Sequence, residues 1–139
     1  MLTANKRNYK EAFKKHYHAF INWQSTGSET SKVLILAYAV ECGLKFMIME
    51  EARIYNTKNA DDSIKNILHS HDYSKLLKQV KWTQYSFIEF KTEHNDTVNT
   101  NNFHEFCRYC IRENGTKEYL KFSEALRKIA TQLDEDVKR

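Results

Sequence analysis

The chain has 139 residues, 41% of them hydrophobic and 13% aromatic, with three glycines, no proline and a formal charge of +4. This is one domain's length with enough apolar material for a core, which excludes a disordered polymer. The shortage of turn-forming residues argues against a β-sandwich or barrel and for long helices joined by few loops.

No apolar run approaches the roughly 20 residues that span a bilayer. The N-terminal stretch MLTANKRNYKEAFKKHYHAF has no apolar signal-peptide core. The expectation is a cytoplasmic protein with no membrane partner. Cys42, Cys107 and Cys110 are odd in number, against a full disulfide framework. No internal repeat or interdomain linker is visible, so residues 1–139 read as a single domain.

The first predicted helix covers residues 3–23, with Tyr9, Phe13, Tyr17 and Phe20 spaced by three and four. Lys6, Arg7, Lys10, Lys14 and Lys15 against Glu11 put the whole charge excess in this segment. Lys6, Lys10 and Lys14 form one stripe, either a solvated face or a track for the phosphates of RNA or a nucleotide. The break QSTGSETS follows, rich in capping hydroxyls.

The second predicted helix covers residues 30–55, a rod of roughly 40 Å. Val33, Ala37, Val40, Leu44 and Ile48 make one stripe, and Leu34, Tyr38 and Met49 widen it, as in a central helix. Glu41 and Lys45 lie one turn apart in the favourable order for an ion pair. Amid apolar neighbours, such a pair reads either as structural or as the wall of a cleft or subunit interface. Gly43 lowers helix propensity, which close approach of another backbone would explain.

After NTKNADDS, a short helix through Ile64, Ile67 and Leu68 is expected. Asp72 precedes the apolar-periodic Tyr73, Leu76, Leu77 and Val80 and reads as a helix cap, with His71 beside it. A helix over residues 85–94, a polar loop, a helix over 103–111 and a last helix over 117–137 complete the prediction. Cys107 and Cys110 form a lone CxxC, read as ordinary thiols, since one such pair cannot complete a zinc site even with His104 nearby. No metal and no cofactor are expected. His104 and Arg108, at i,i+4, share a helical face that could hold a phosphate and move a proton.

Three stretches carry a family resemblance. YAVECGLKFMIM at 38–49, HDYSKLL at 71–77, and the Arg108–Tyr109 dipeptide before a final amphipathic helix together resemble the HEPN domains of prokaryotes. The resemblance implies an all-α, up-and-down bundle of four to five helices, usually a homodimer. It implies a place in toxin–antitoxin or other defence systems. Members with an intact Arg-x(4–6)-His motif are metal-independent ribonucleases. Others lack that motif and serve as binding partners of nucleotidyltransferases or as sensor and accessory domains.

In this chain no arginine is followed by histidine after four to six residues, and Asn114 stands six positions after Arg108. Three readings are therefore open. The first is an RNA- or nucleotide-binding or partner-binding domain, using Glu41, Lys45, His71, Asp72, Tyr109, Lys6, Lys10 and Lys14. The second is a ribonuclease whose catalytic residues are Arg108 with His104 or Asn114. The third is a structural dimerisation module. The resemblance also puts Glu41, Gly43 and Lys45 near a dimer cleft.

Overall fold

Two asparagines start the fold. In a computed structural model, which describes residues 3–24 and 26–138, Asn5 Oδ1 accepts from the Asn8 N–H at 2.9 Å. Asn8 Oδ1 accepts from the Asn5 N–H at 2.9 Å. This reciprocal cap satisfies two donors that a helix start leaves unpaired and opens α1 (Lys6–Ile21). Ser25, within the expected QSTGSETS break, lies outside the described residues. Ser28 then caps α2 (Glu29–Ala52), its Oγ accepting from the Ser31 N–H.

The two helices run antiparallel, as their contacts require. Phe20 meets Lys32 near one end and Lys6 meets Glu50 near the other. α2 stops at Arg53, which takes the left-handed conformation (φ 57°) and so ends the helix earlier than the expected residue 55.

Helix α2 is buried on most of its circumference, as its apolar sequence demands. Its neighbours are α1, α4, α5 and α6 of the same chain. Gly43 lies at the heart of this packing. A Cβ there would meet Leu133 Cδ1 at 2.7 Å and Phe13 Cδ1 at 2.9 Å. The close neighbours are thus side chains of α1 and α6, and the expected backbone approach at a subunit cleft is replaced by a core contact.

Asp61 caps the short α3 (Asp62–Leu68) and Asp72 caps α4 (Tyr73–Val80). Asp72 Oδ1 accepts from both the Ser74 N–H and the Thr100 hydroxyl, at 3.0 and 2.6 Å. One carboxylate therefore starts α4 and ties it to a loop 28 residues away. Lys81 closes α4 in the left-handed region (φ 62°).

The fold is mostly helical, yet it departs from the all-α expectation in one place. The helix expected over 85–94 does not form. Instead β1 (Phe90–Thr92) pairs antiparallel with β2 (Thr97–Val98) and with β3 (Glu113–Asn114), in the order β2-β1-β3. The cause is a period of two: Phe90 and Thr92 point inward while Lys91 faces water. Thr92 Oγ1 also accepts from the His94 and Asp96 N–H groups, and Asn95 turns with φ 65°. This local bonding favours a hairpin over a helix. β2 lies inside the expected polar loop.

Helix α5 (Phe103–Arg108) is shorter than predicted because Cys110 adopts φ 52° and turns the chain. The long α6 (Thr116–Val137) follows Gly115, whose φ of 113° suits a residue without a side chain. Phe90 of β1 meets Phe103 and Phe106 of α5 and Tyr119 and Phe122 of α6 edge-on, with ring centres 5.0–6.2 Å apart. Aromatic edges and faces attract at such spacings, and this knot locks the hairpin and α5 onto α6. Among the described residues no helix is long and apolar enough to cross a membrane.

Candidate nucleic-acid interface

Tyr38, Glu41 and Lys45 lie three and four residues apart on α2, so they share one face. Lys45 is only 5% exposed. Its ammonium lies 3.1 Å from Glu41 Oε2 and 6.0 Å from the centre of the Tyr9 ring. A buried ammonium needs such compensation, because removing it from water costs several kcal/mol.

The other oxygen of the same carboxylate reaches a second element. Glu41 Oε1 is 3.0 Å from His71 Nδ1. An ionised carboxylate only accepts, so Nδ1 carries the hydrogen and Nε2 is left free to give or take a proton. The loop holding His71 is pinned on both sides. Ser70 Oγ accepts from the Asp72 N–H at 3.0 Å, and Asp72 accepts from Thr100. Asp72 therefore acts as a structural anchor that aims its neighbour.

Helix α5 brings the third group. His104 and Arg108 share its face, and the His104 ring centre lies 5.4 Å from that of His71. Burial, the neighbouring His71 and the Arg108 cation all push the His104 proton affinity below the usual histidine value, against weaker opposing pulls from Glu105 and Glu41. Near neutral pH His104 is thus an uncharged imidazole. Its Nδ1 is buried without a hydrogen-bond partner among the described residues.

Arg108 is fully exposed, and its guanidinium faces the phenol oxygens of Tyr109 and Tyr38, which raise its already high proton affinity. The guanidinium carbon lies 5.9 Å from the Tyr109 ring centre. Tyr38 also neighbours His16 of α1, at 6.1 Å between ring centres. Burial lowers its proton affinity too.

The resulting cluster joins Glu41, Lys45, His71, His104, Arg108 and Tyr109 from the predicted site residues. Asn114 is not among its contacts; it is exposed on β3, in register with Lys91. Lys6, Lys10 and Lys14 line a separate groove of about 360 Å³ with Phe46, Glu50 and Tyr55. Lys6 is there paired to Glu50 at 2.7 Å. Tyr9 and His16 fall seven residues apart on the α1 flank that faces Lys45 and Tyr38, whereas Lys6 and Lys10 fall on the Phe46 flank.

Sequence reasoning missed Tyr38 and His16 as members of the cluster. The signal for Tyr38 was its position three residues before Glu41 on the same helical face. For His16 there was only the shared flank with Tyr9. Among the described residues no group of three or more His, Cys, Asp or Glu side chains is arranged to hold a metal ion.

No protein-family model, curated protein or solved structure matches the chain.

Proposed function

We propose that this chain is a HEPN-like helical domain of a prokaryotic defence or toxin–antitoxin type system, and that it binds RNA through the face formed by α2, the His71 loop and α5. The observation that carries this reading is the convergence of Arg108 with two imidazoles, His104 and His71, the latter fixed on Glu41. Arginine presents a planar fork of donors that matches a phosphate, and exposure leaves that fork open to one. The homodimer and the nucleotidyltransferase or effector partner belong to this proposal through the resemblance alone.

The test is binding of a labelled RNA oligonucleotide by the purified chain. Binding that weakens steeply with salt, and that Arg108→Ala impairs, is the expected result. Wild-type protein that binds no RNA at low salt would sink the reading and leave the structural module.

A second reading is favoured by the imidazole pair itself. Metal-independent RNA cleavage needs a base for the 2′-hydroxyl and an acid for the leaving 5′-oxygen. His104 is uncharged near neutral pH, as a base must be, and His71 offers a free Nε2 at its side. Transfer of the 2′-proton to one ring, attack of the 2′-oxygen on phosphorus, and protonation of the departing 5′-oxygen by the other would yield a cyclic phosphate and a 5′-hydroxyl. Incubation with RNA in EDTA decides it. Cleavage abolished by His71→Ala and by His104→Ala establishes the ribonuclease, and intact RNA leaves binding alone.

A further inference from the structure

Among the described residues the most exposed of the large apolar side chains is Tyr109, at 65%, and it stands beside the cation assigned above to phosphate. Its position is set by backbone on both sides. Its N–H bonds to the Glu105 and Cys107 carbonyls as the cap of α5, and Cys110 then turns the chain through φ 52°. The ring is therefore held out in water by the end of a helix and a tight turn. Nothing in the core requires an aromatic there.

Arg108 has a second aromatic neighbour. Tyr38, half-buried on α2, has its hydroxyl toward the guanidinium and its ring against His16. The guanidinium thus has two phenols for neighbours, one fixed in the body of the fold and one projecting from it.

We propose that Tyr109, beside Arg108, is a stacking ledge for unpaired nucleobases, so that the ligand of this face is single-stranded rather than duplex RNA. This inference rests on the reading of Arg108 as a phosphate contact. A nucleotide carries a negative charge and a flat π face on one short sugar linker. Arg108 and Tyr109 present the two complements 5.9 Å apart. A duplex offers its phosphates but keeps its base faces in its own stack, and gives the ledge nothing to hold. Stacking tolerates any sequence because every base has a π face, so the preference is for strandedness and not for a motif.

The experiment compares one oligonucleotide in three forms: single-stranded RNA, the same sequence as a duplex, and a strand of equal length with abasic residues. Each is titrated against wild type, Tyr109→Ala, Tyr109→Phe and Arg108→Ala. Tyr109 is exposed, so its variants should fold, and a thermal melt of each confirms it. Wild type should favour the single strand over both other forms. Tyr109→Ala should lose roughly fivefold or more on the single strand and little on the other two. Tyr109→Phe should retain most of the affinity, because the ring and not the hydroxyl carries the contact. Arg108→Ala should weaken all three. Equal binding of all forms by wild type, or an unaffected Tyr109→Ala, overturns the ledge while the phosphate reading stands. Absence of binding to any form overturns both.

Discussion

His71 donates its Nδ1 hydrogen to a carboxylate thirty residues away, that of Glu41, at 3.0 Å, while the second oxygen of that carboxylate holds the buried Lys45 ammonium at 3.1 Å. One side chain thus supports both the interior of α2 and the aim of a surface imidazole. Glu41→Ala should destabilise the fold by about 3–5 kcal/mol, because it strands Lys45 without its partner. Adding Lys45→Met should restore most of that loss, leaving only the loosened His71. Urea unfolding of the single and double variants measures both. A double variant as unstable as Glu41→Ala would show that the ammonium is satisfied by other means.

Gly43→Leu should cost at least about 1–3 kcal/mol, since the new side chain must displace Leu133 and Phe13 from a filled core. The site-facing groups on α2 lie on other faces of the helix, so the loss should appear in the melting temperature first. An unchanged melt would mean that α6 can move aside freely.

Acid should weaken the fold through His104 and His16. Both have proton affinities lowered by burial, His104 by the nearby His71 and Arg108 as well. The folded state therefore binds the proton less readily than the unfolded chain, whose histidines titrate near 6.5. Stability from these two groups is intact above that pH and falls as pH drops below it. His104→Gln should flatten part of this slope in melts taken from pH 7.5 to 5. RNA binding should run the other way: a bound phosphate favours the protonated ring, so affinity should rise on acidification in wild type and less so in His104→Gln.

If the α1 stripe follows the RNA backbone beyond the cluster, its lysines contribute to the salt dependence. Lys6 is already neutralised by Glu50 and should contribute least. Replacing Lys10 and Lys14 by alanine should reduce the slope of log affinity against log salt by roughly 1.4, about 0.7 for each single-strand phosphate no longer neutralised. A slope unaltered by the double replacement would assign the stripe to solvent.

The three thiols should react at very different rates. Cys110 is exposed, whereas burial raises Cys42 to about 11 and Cys107 to about 12. The thiolate is the reactive form. One equivalent of a thiol reagent should therefore be consumed quickly in the native state, and the other two only on unfolding. Fast reaction of two or three thiols in native buffer would contradict the packing around α2 and α5.

The helices were legible because each announces itself locally. Tyr9, Phe13 and Phe20 mark one face of α1, and Asp72 with its apolar followers marks the start of α4. The pairs Glu41–Lys45 and His104–Arg108 were legible for the same reason, being one turn apart. The meeting of His71 with Glu41 was not, because it depends on how α4 and its preceding loop settle on α2. Nor was the hairpin. Residues 85–92 are apolar enough for a helix, and only the three-residue alternation Phe90–Lys91–Thr92 with the Thr92 turn separates the two outcomes. The core role of Gly43 needed the positions of α1 and α6, which no local pattern specifies.

The aromatic knot around Phe90 has a consequence for motion. With six residues, α5 is too short to hold itself helical, so His104 and Arg108 are aimed only while the hairpin and α6 grip Phe103 and Phe106. The three elements should then open together as one cooperative unit. Amide hydrogens of β1, α5 and the first turns of α6 should exchange at a common rate, slower than those of the exposed turn at Asn95. A ligand clasped by Arg108 should slow that whole set, including the Phe90 amide, which lies on a strand the ligand need not touch.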